Sequence, residues 1–174
     1  MSRLKLVLPT QKYKDEIMDY KREFIENEDE MHGTAGLANV ETFEEWYNSV
    51  CDNLKEETVR EGLVPATTYI AISTDDGRLI GMIDIRHRLN DYLLNFGGHI
   101  GYSIRKSERQ RGYGTEMLEL GLKECRKLNI NKVLITCDKD NVASAKTILN
   151  NGAKLENELQ VGKTVIQRYW ITLN

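Results

Sequence analysis

Two glycines two residues apart stand in the run Arg109-Gln110-Arg111-Gly112-Tyr113-Gly114-Thr115, between a strand-like stretch ending at Ile104 and an apolar helical stretch that includes Met117 and Leu118. Without a Cβ, the main chain at such positions can take left-handed conformations and approach a ligand closely. The helix that follows begins with N–H groups that have no partner within it and with the positive end of its dipole, which together suit a phosphate or pyrophosphate. Arg105, Lys106, Arg109 and Arg111, opposed only by Glu108, add local positive charge. A glycine pair before a helix is equally the mark of a plain tight turn, and a charge run that of a solvated loop, so the rest of the chain has to decide.

The better-known phosphate loops do not fit. No Lys-Ser or Lys-Thr pair follows a longer glycine loop, and no third glycine with a ribose-binding acid supports a dinucleotide fold. A formal net charge of −3 excludes a global footprint for nucleic acid. Cys51, Cys125 and Cys137 are an odd number at wide spacings, which supports neither a disulfide framework nor a zinc site, and they read as reduced core thiols; no metal is expected. No apolar run approaches the roughly 20 residues that span a bilayer, and no signal-peptide core follows Met1-Ser2-Arg3, so a cytoplasmic protein with no membrane partner is expected.

The elements that must position the glycine loop can be read in order. Leu4, Leu6 and Leu8 alternate in a short strand before Pro9, and Thr10 is expected to cap a helix carrying Tyr13, Ile17, Tyr20 and Phe24. Thr42 with Glu45 forms a capping box ahead of Phe43, Trp46, Tyr47, Val50 and Cys51. Residues 67–72 and 79–87 make a hairpin around Asp75-Asp76-Gly77, residues 90–98 a connecting loop, and residues 99–104 a further strand. Met117, Leu118, Gly121, Leu122 and Cys125 share one helix face, and Val133-Leu134-Ile135 is an interior strand. A helix over 141–151 ends at Gly152, and strands near 153–159 and 164–173 close the chain. The expectation is an α+β fold, one domain over residues 1–174, with a mixed, mostly antiparallel seven-stranded sheet flanked by about four helices.

Arg109-x-x-Gly112-x-Gly114 resembles the pyrophosphate-wrapping signature of the GCN5-related N-acetyltransferase (GNAT) family. A second anchor is Thr136-Cys137-Asp138-Lys139-Asp140-Asn141, a strand running into a loop whose last Asn opens a helix, with Ala145 and Asn151-Gly152 beyond it. Together the anchors lie within residues 65–173. Gly98-His99-Ile100-Gly101-Tyr102-Ser103-Ile104-Arg105 and Arg168-Tyr169-Trp170-Ile171 look more closely like an uncharacterised bacterial acetyltransferase subgroup.

The resemblance implies acetyl-CoA as acyl donor and an amine of a small molecule or peptide as acceptor, with a homodimer left open. It implies that Ile104 offers main-chain hydrogen bonds to pantetheine in a splay between strands 98–105 and 131–137. It further implies that Arg109, Gln110, Arg111, Gly112, Tyr113, Gly114 and Thr115 hold the pyrophosphate, and that Asn141 faces the pantetheine arm; helix capping is the plainer role for this Asn. One departure is Ile148, where relatives often carry a tyrosine that protonates the departing thiolate; a thiolate of ordinary pKa, roughly 8.5, can leave without obligatory protonation, and water or Ser144 can supply the proton.

Attack on a thioester requires an uncharged amine, so a base or a chain of waters must take its proton. His99, on the strand leading to the glycine loop, has an ordinary pKa near 6.5 that suits the task, although a packed sheet histidine is its plainer reading. Asp84, flanked by Ile83 and Ile85, reads as a desolvated base, as a recognition carboxylate for a cationic amine, or as a member of a plain cross-strand pair; His87 and Asp91 stand similarly. Phe43, Trp46 and Tyr47 suit an acceptor pocket, but their helical spacing points to the core. Two rivals are an acyl-CoA sensor without catalysis and a protein-interaction domain whose glycine loop is purely structural.

Overall fold

The computed structural model describes residues 2–174. Its strands are β1 (Leu4–Val7), β2 (Ala66–Ser73), β3 (Leu79–Arg86), β4 (Ile100–Ile104), β5 (Lys132–Asp138), β6 (Lys154–Val161) and β7 (Thr164–Thr172). Its α-helices are α1 (Lys14–Glu26), α2 (Phe43–Asp52), α3 (Tyr113–Lys127) and α4 (Val142–Asn150). The strands form a 7-stranded sheet in the order β1-β2-β3-β4-β5-β7-β6, antiparallel except between β4 and β5. This is the α+β architecture that the order of periodicities predicts.

Each face of the sheet carries its own core. Met117, Leu118, Leu122 and Cys125 of α3 and Ile148 of α4 pack on Ile83, Ile85, Ile100, Val133 and Ile135. Ile17, Tyr20 and Phe24 of α1 and Phe43 and Trp46 of α2 pack on Ile70, Ile72 and Met82 of the other face. Both faces are covered, and so β3 reads as an almost unbroken apolar run, not an alternating one. Close packing of α3 on the sheet requires Gly121, where a Cβ would stand 2.5 Å from Ile83 Cδ1. The aromatic residues of α2 belong to the core: Phe43 and Trp46 are buried, Phe43 stacks on Tyr47, and Trp46 Nε1 donates to the Thr34 carbonyl at 2.7 Å.

Three local expectations change. Thr10 does not cap α1 with its side chain, because a 3-10 turn at Gln11–Tyr13 intervenes, with Tyr13 N–H donating to the Thr10 carbonyl at 3.0 Å. Residues 90–98 are not a plain loop: Leu93–Gly97 wind into a π-helical turn, started by Leu93 N–H donating to Asn90 Oδ1 and closed by Gly98 N–H donating to the Leu93 carbonyl at 2.6 Å. Of the three free cysteines only Cys125 is buried, and Cys51 is exposed on α2. By contrast, Thr42 caps α2 as its spacing predicts, its Oγ1 accepting from Glu45 N–H at 3.2 Å.

The segment between α1 and α2 crosses β4 where two glycines meet. Gly33 has φ +67°, and a Cβ on it would lie 2.2 Å from the Gly101 carbonyl oxygen. Gly36, also left-handed at φ +79°, has open space where a Cβ would go. Gly36→Ala should therefore cost only the left-handed strain, about 1 kcal/mol, whereas Gly33→Ala adds overpacking and should cost roughly 3 kcal/mol in urea denaturation. Equal losses at the two positions would show that the crossing can yield.

Candidate active site

Beyond Ile100 the main chain of β4 is used on one side only. Arg105 N–H donates to the Ile80 carbonyl of β3 at 3.0 Å, so the alternation of an antiparallel ladder turns the peptide groups of Ile104 and Tyr102 the other way, toward β5. There they meet no continuous ladder. β4 and β5 share one parallel pair, Ile100 with Ile135, backed by a bridge between Gly98 and Ile135, and then diverge. The result is a cleft through the sheet, walled by β4 and β5, as expected for strands 98–105 and 131–137. The Ile104 carbonyl is already taken by Arg109 Nε at 2.9 Å, which leaves its N–H for the cleft.

At the outer end of β4 the chain passes through Lys106–Glu108, a short 3-10 turn, into the glycine loop. Gln110 and Gly112 are both left-handed, at φ 62° and 82°, and Gly112 is the N-cap of α3. The N–H groups of Gln110, Arg111, Gly112, Tyr113, Gly114 and Thr115 find no protein acceptor among the described residues. Six donors gathered at a helix N-terminus are the arrangement that a pyrophosphate would satisfy, and a concave run of main-chain N–H groups binds anions without any side-chain charge. Gly114 packs against α4: a Cβ there would stand 3.3 Å from Thr147 Oγ1.

The basic cluster divides differently from its appearance in the sequence. Arg105 is only 1% exposed, with Nη2 on Asp19 Oδ2 at 2.7 Å, Nε on Glu23 Oε2 at 2.6 Å and Nη1 on the Leu79 carbonyl at 3.0 Å. Arg109 pairs with Asp29 at 2.6 Å, and Lys106 donates to Asn27 Oδ1 at 2.9 Å. Arg111 pairs with Glu108 at 2.9 Å but remains largely exposed, so that it and exposed Lys106 are the two of the four best able to turn toward a phosphate. Arg105, Lys106 and Arg109 hold the loop to α1 and the segment after it; the charges of Arg105 and Arg109 are paired with acids there, whereas exposed Lys106 meets only a neutral amide.

Asn141 caps α4, its Oδ1 accepting from Ser144 N–H at 3.1 Å, so only its amide N–H₂ can reach toward the cleft. Ile148 is fully buried against the α3 face, and a tyrosine there would have to displace core side chains to reach the cleft. Missed by sequence reasoning is Tyr102, whose hydroxyl lies 2.8 Å from Ser144 Oγ and so spans from β4 to α4. Its signal was strand alternation: Tyr102 shares a face with Ile100 and Ile104.

On the opposite face, Asp84 is buried, with Oδ1 accepting from Thr68 Oγ1 at 2.9 Å and Oδ2 3.1 Å from Arg86 Nε. Burial raises its pKa above the ordinary carboxylate value, against the pull of Arg86. Beside this pair His87 Nε2 meets Thr67 Oγ1 at 2.7 Å, while the Asp91 carbonyl accepts from Asn95 in the π-helical turn. That turn is held from three strands: Arg168 of β7 donates to the Leu94 carbonyl at 2.7 Å, Thr136 of β5 to that of Phe96 at 2.8 Å, and Arg86 of β3 to that of Gly97 at 3.4 Å.

His99 does not fit the part of a base. It is buried, and its Nδ1 accepts from Leu134 N–H at 3.0 Å. That bond fixes the neutral tautomer with its proton on Nε2, which leaves no lone pair for an amine proton. Desolvation, helped by Arg86, also pushes its pKa down to about 4. A carboxylate, with about four acceptor positions, keeps capacity that the imidazole lacks, so Asp84 can still take a proton with two bonds in place.

The family whose sequence pattern matches is the acetyltransferase (GNAT) domain, over residues 3–154, and the chain belongs to this family. No curated protein matches it in sequence. Among solved structures, it is similar to a putative ribosomal-protein-serine acetyltransferase from Vibrio cholerae, at 21% identity and TM-score 0.68 over 99% of this chain and 95% of the other. RimL, a ribosomal-protein alpha-N acetyltransferase in complex with coenzyme A, shares 16% identity at TM-score 0.73, over 99% and 96% of the two chains. The microcin C7 self-immunity acetyltransferase, in complex with acetyl-CoA and AMP, shares 19% identity at TM-score 0.66, over 99% and 94%.

The neutral state of His99 carries a stability prediction. Its folded pKa, about 4, lies below the ordinary 6.5, so the unfolded chain binds more protons between those values and stability falls as pH drops through that window. His99→Asn, whose Oδ1 can still accept from Leu134 N–H, should flatten the dependence of the melting temperature on pH between about 6.5 and 4. An unchanged slope would mean that other groups set it.

Proposed function

We propose that the whole chain is one acetyl-CoA-dependent N-acetyltransferase domain that passes the acetyl group directly to a primary amine. The observation that carries this reading is the set of six unpartnered N–H groups at the N-terminus of α3, opening onto a cleft whose β4 wall turns free peptide groups inward. Acetyl-CoA supplies the activated acyl group. Gln110 through Thr115 hold the pyrophosphate through main-chain N–H groups, and Ile104 and Asn141 hydrogen-bond the pantetheine arm. The Tyr102 N–H, also aimed at the cleft, polarises the thioester carbonyl.

The acceptor amine approaches on the α1/α2 face, where Asp84 and Arg86 stand beside the cleft. Asp84 takes the amine proton, its buried carboxylate being shifted toward neutral pH and hence toward greater basicity. Similarity to acetyltransferases of ribosomal proteins favours a protein N-terminal amine, so a serine-initiated peptide is the first acceptor to test, ahead of lysine, polyamines and aminoglycosides. Ile148 supports a second reading, an acyl-CoA sensor without turnover, because the usual tyrosine of α4 has no counterpart there.

Acetyl-CoA at a hundred times its dissociation constant should stabilise the protein by roughly 2.7 kcal/mol, raising its melting temperature by roughly 5–10 °C. Gly112→Val forces a β-branched residue into φ 82°, where the Cβ itself has room, 3.5 Å from Arg3 Nη2. Acetyl-CoA affinity should then fall on the order of tenfold or more while the fold persists. A folded variant with wild-type affinity would remove the loop from the site.

If Asp84 is the base, Asp84→Asn should lower turnover on the order of 10²-fold and abolish the acidic limb of the rate profile, across which wild-type activity rises as Asp84 loses its proton. A retained limb would pass the role to water. Tight acetyl-CoA binding with no thiol release across the amine panel would select the sensor.

A further inference from the structure

A tyrosine hydroxyl stands at the point where β4 and β5 part. Tyr102 leaves β4 on the α3/α4 face one alternation beyond Ile100, the last residue paired with β5, at the point where the two strands part. It is half-buried among partly buried apolar residues that include Ile104 and Cys137. Its hydroxyl is 2.8 Å from Ser144 Oγ, and either oxygen can be the donor. Ser144 is the third residue of α4, and its N–H is already given to Asn141 Oδ1. A pair of hydroxyls therefore bridges the two sides of the cleft on this face.

Resting on the acetyltransferase reading above, we propose that Tyr102, backed by Ser144, donates the hydrogen bond that stabilises the sulfur of coenzyme A as it leaves, in place of the α4 tyrosine that this chain lacks. In the productive orientation Ser144 Oγ–H donates to the Tyr102 oxygen, freeing Tyr102 O–H for the sulfur. As the amine nitrogen bonds to the acetyl carbon, the carbon–sulfur bond breaks and its electron pair goes to sulfur. The amine gives its proton to Asp84 or water. The sulfur keeps the electron pair as a thiolate hydrogen-bonded to Tyr102 and later takes a proton from water.

Tyr102 acts by hydrogen bonding and keeps its own proton. Desolvation pushes its pKa up to about 12, and an ordinary thiol has a pKa of roughly 8.5, so complete transfer would run uphill by more than three powers of ten. For the same reason the phenol remains a neutral donor throughout the working pH range. The groups that face it are Ser144 and Thr147 of α4 and Cys137 of β5. Cys137 is itself held protonated to about 11, so no charged neighbour competes for the sulfur.

The proposal is tested on bound coenzyme A without any acceptor. The thiol is titrated by the ultraviolet absorbance of its thiolate, as the difference between coenzyme A-loaded and free protein, for wild type, Tyr102→Phe and Ser144→Ala. A hydrogen bond to the charged form lowers a pKa, so the bound thiol should titrate at least one unit lower in wild type than in Tyr102→Phe, about tenfold more thiolate at a given pH. Ser144→Ala should give a smaller shift in the same direction. Melting with and without coenzyme A checks that each variant folds and binds. Equal thiol titrations in wild type and a Tyr102→Phe protein that binds coenzyme A would overturn the proposal and leave the acetyltransferase reading standing. Failure of wild type to bind coenzyme A would overturn both.

Discussion

The sheet is continuous across its middle only at one short seam, the parallel pair of Ile100 with Ile135 and the contacts of Gly98 and His99 beside it, and every feature of the site follows from how little joins β4 to β5. Strands that part leave peptide groups without partners, a cost that a fold accepts only where something else satisfies them. The two walls are each rigid in themselves. β4 is laddered to β3 and crossed by the Gly33 segment, while β5 is laddered to β7 along its whole length. α3 and α4 close the gap below, so the opening is set by two packed cores and does not depend on a hinge.

What joins the walls at the narrow end is polar. The π-helical turn before β4 offers three carbonyls to side chains on three strands, Arg168, Thr136 and Arg86, and thereby ties both halves of the sheet to one short segment. Gly98 completes the joint: left-handed at φ 67°, it brings its backbone so near β5 that a Cβ would lie 2.6 Å from the Leu134 carbonyl oxygen. His99 adds a further link by accepting from Leu134 N–H, and burial in this link is what suppresses its basicity. Thus a histidine on a strand that leads to the glycine loop works as part of the seam.

At the wide end the economy of charge is similar. Arg105 is almost fully enclosed by Asp19, Glu23 and the Leu79 carbonyl, and burying a guanidinium is tolerable only because each of these partners is well aligned. Its function is to pin the turn after β4 against α1. The loop that follows can then keep Gln110 and Gly112 in left-handed conformations and point its N–H groups outward together. Attraction for an anion comes chiefly from those main-chain dipoles, which need no side-chain charge and lose little to rearrangement.

By itself the sequence determined the elements and the family. Periodicity located the sheet strands and helices, because alternation and helical spacing are imposed locally by which face is buried; Gly112 and Gly152 marked loop and cap, because only glycine tolerates φ near 82° freely. Tertiary structure decided which polar side chains are free. Arg105 and Arg111 lie six residues apart and look alike in sequence, yet one is enclosed by acids brought from α1, more than 80 residues away, and the other is exposed. The same holds for His99, Asp84 and Tyr102, whose hydrogen-bond partners on β5, β2 and α4 belong to distant parts of the chain. A side chain's chemistry depends on its solvation and its neighbours within a few ångströms, and those are set by packing after the strands have paired.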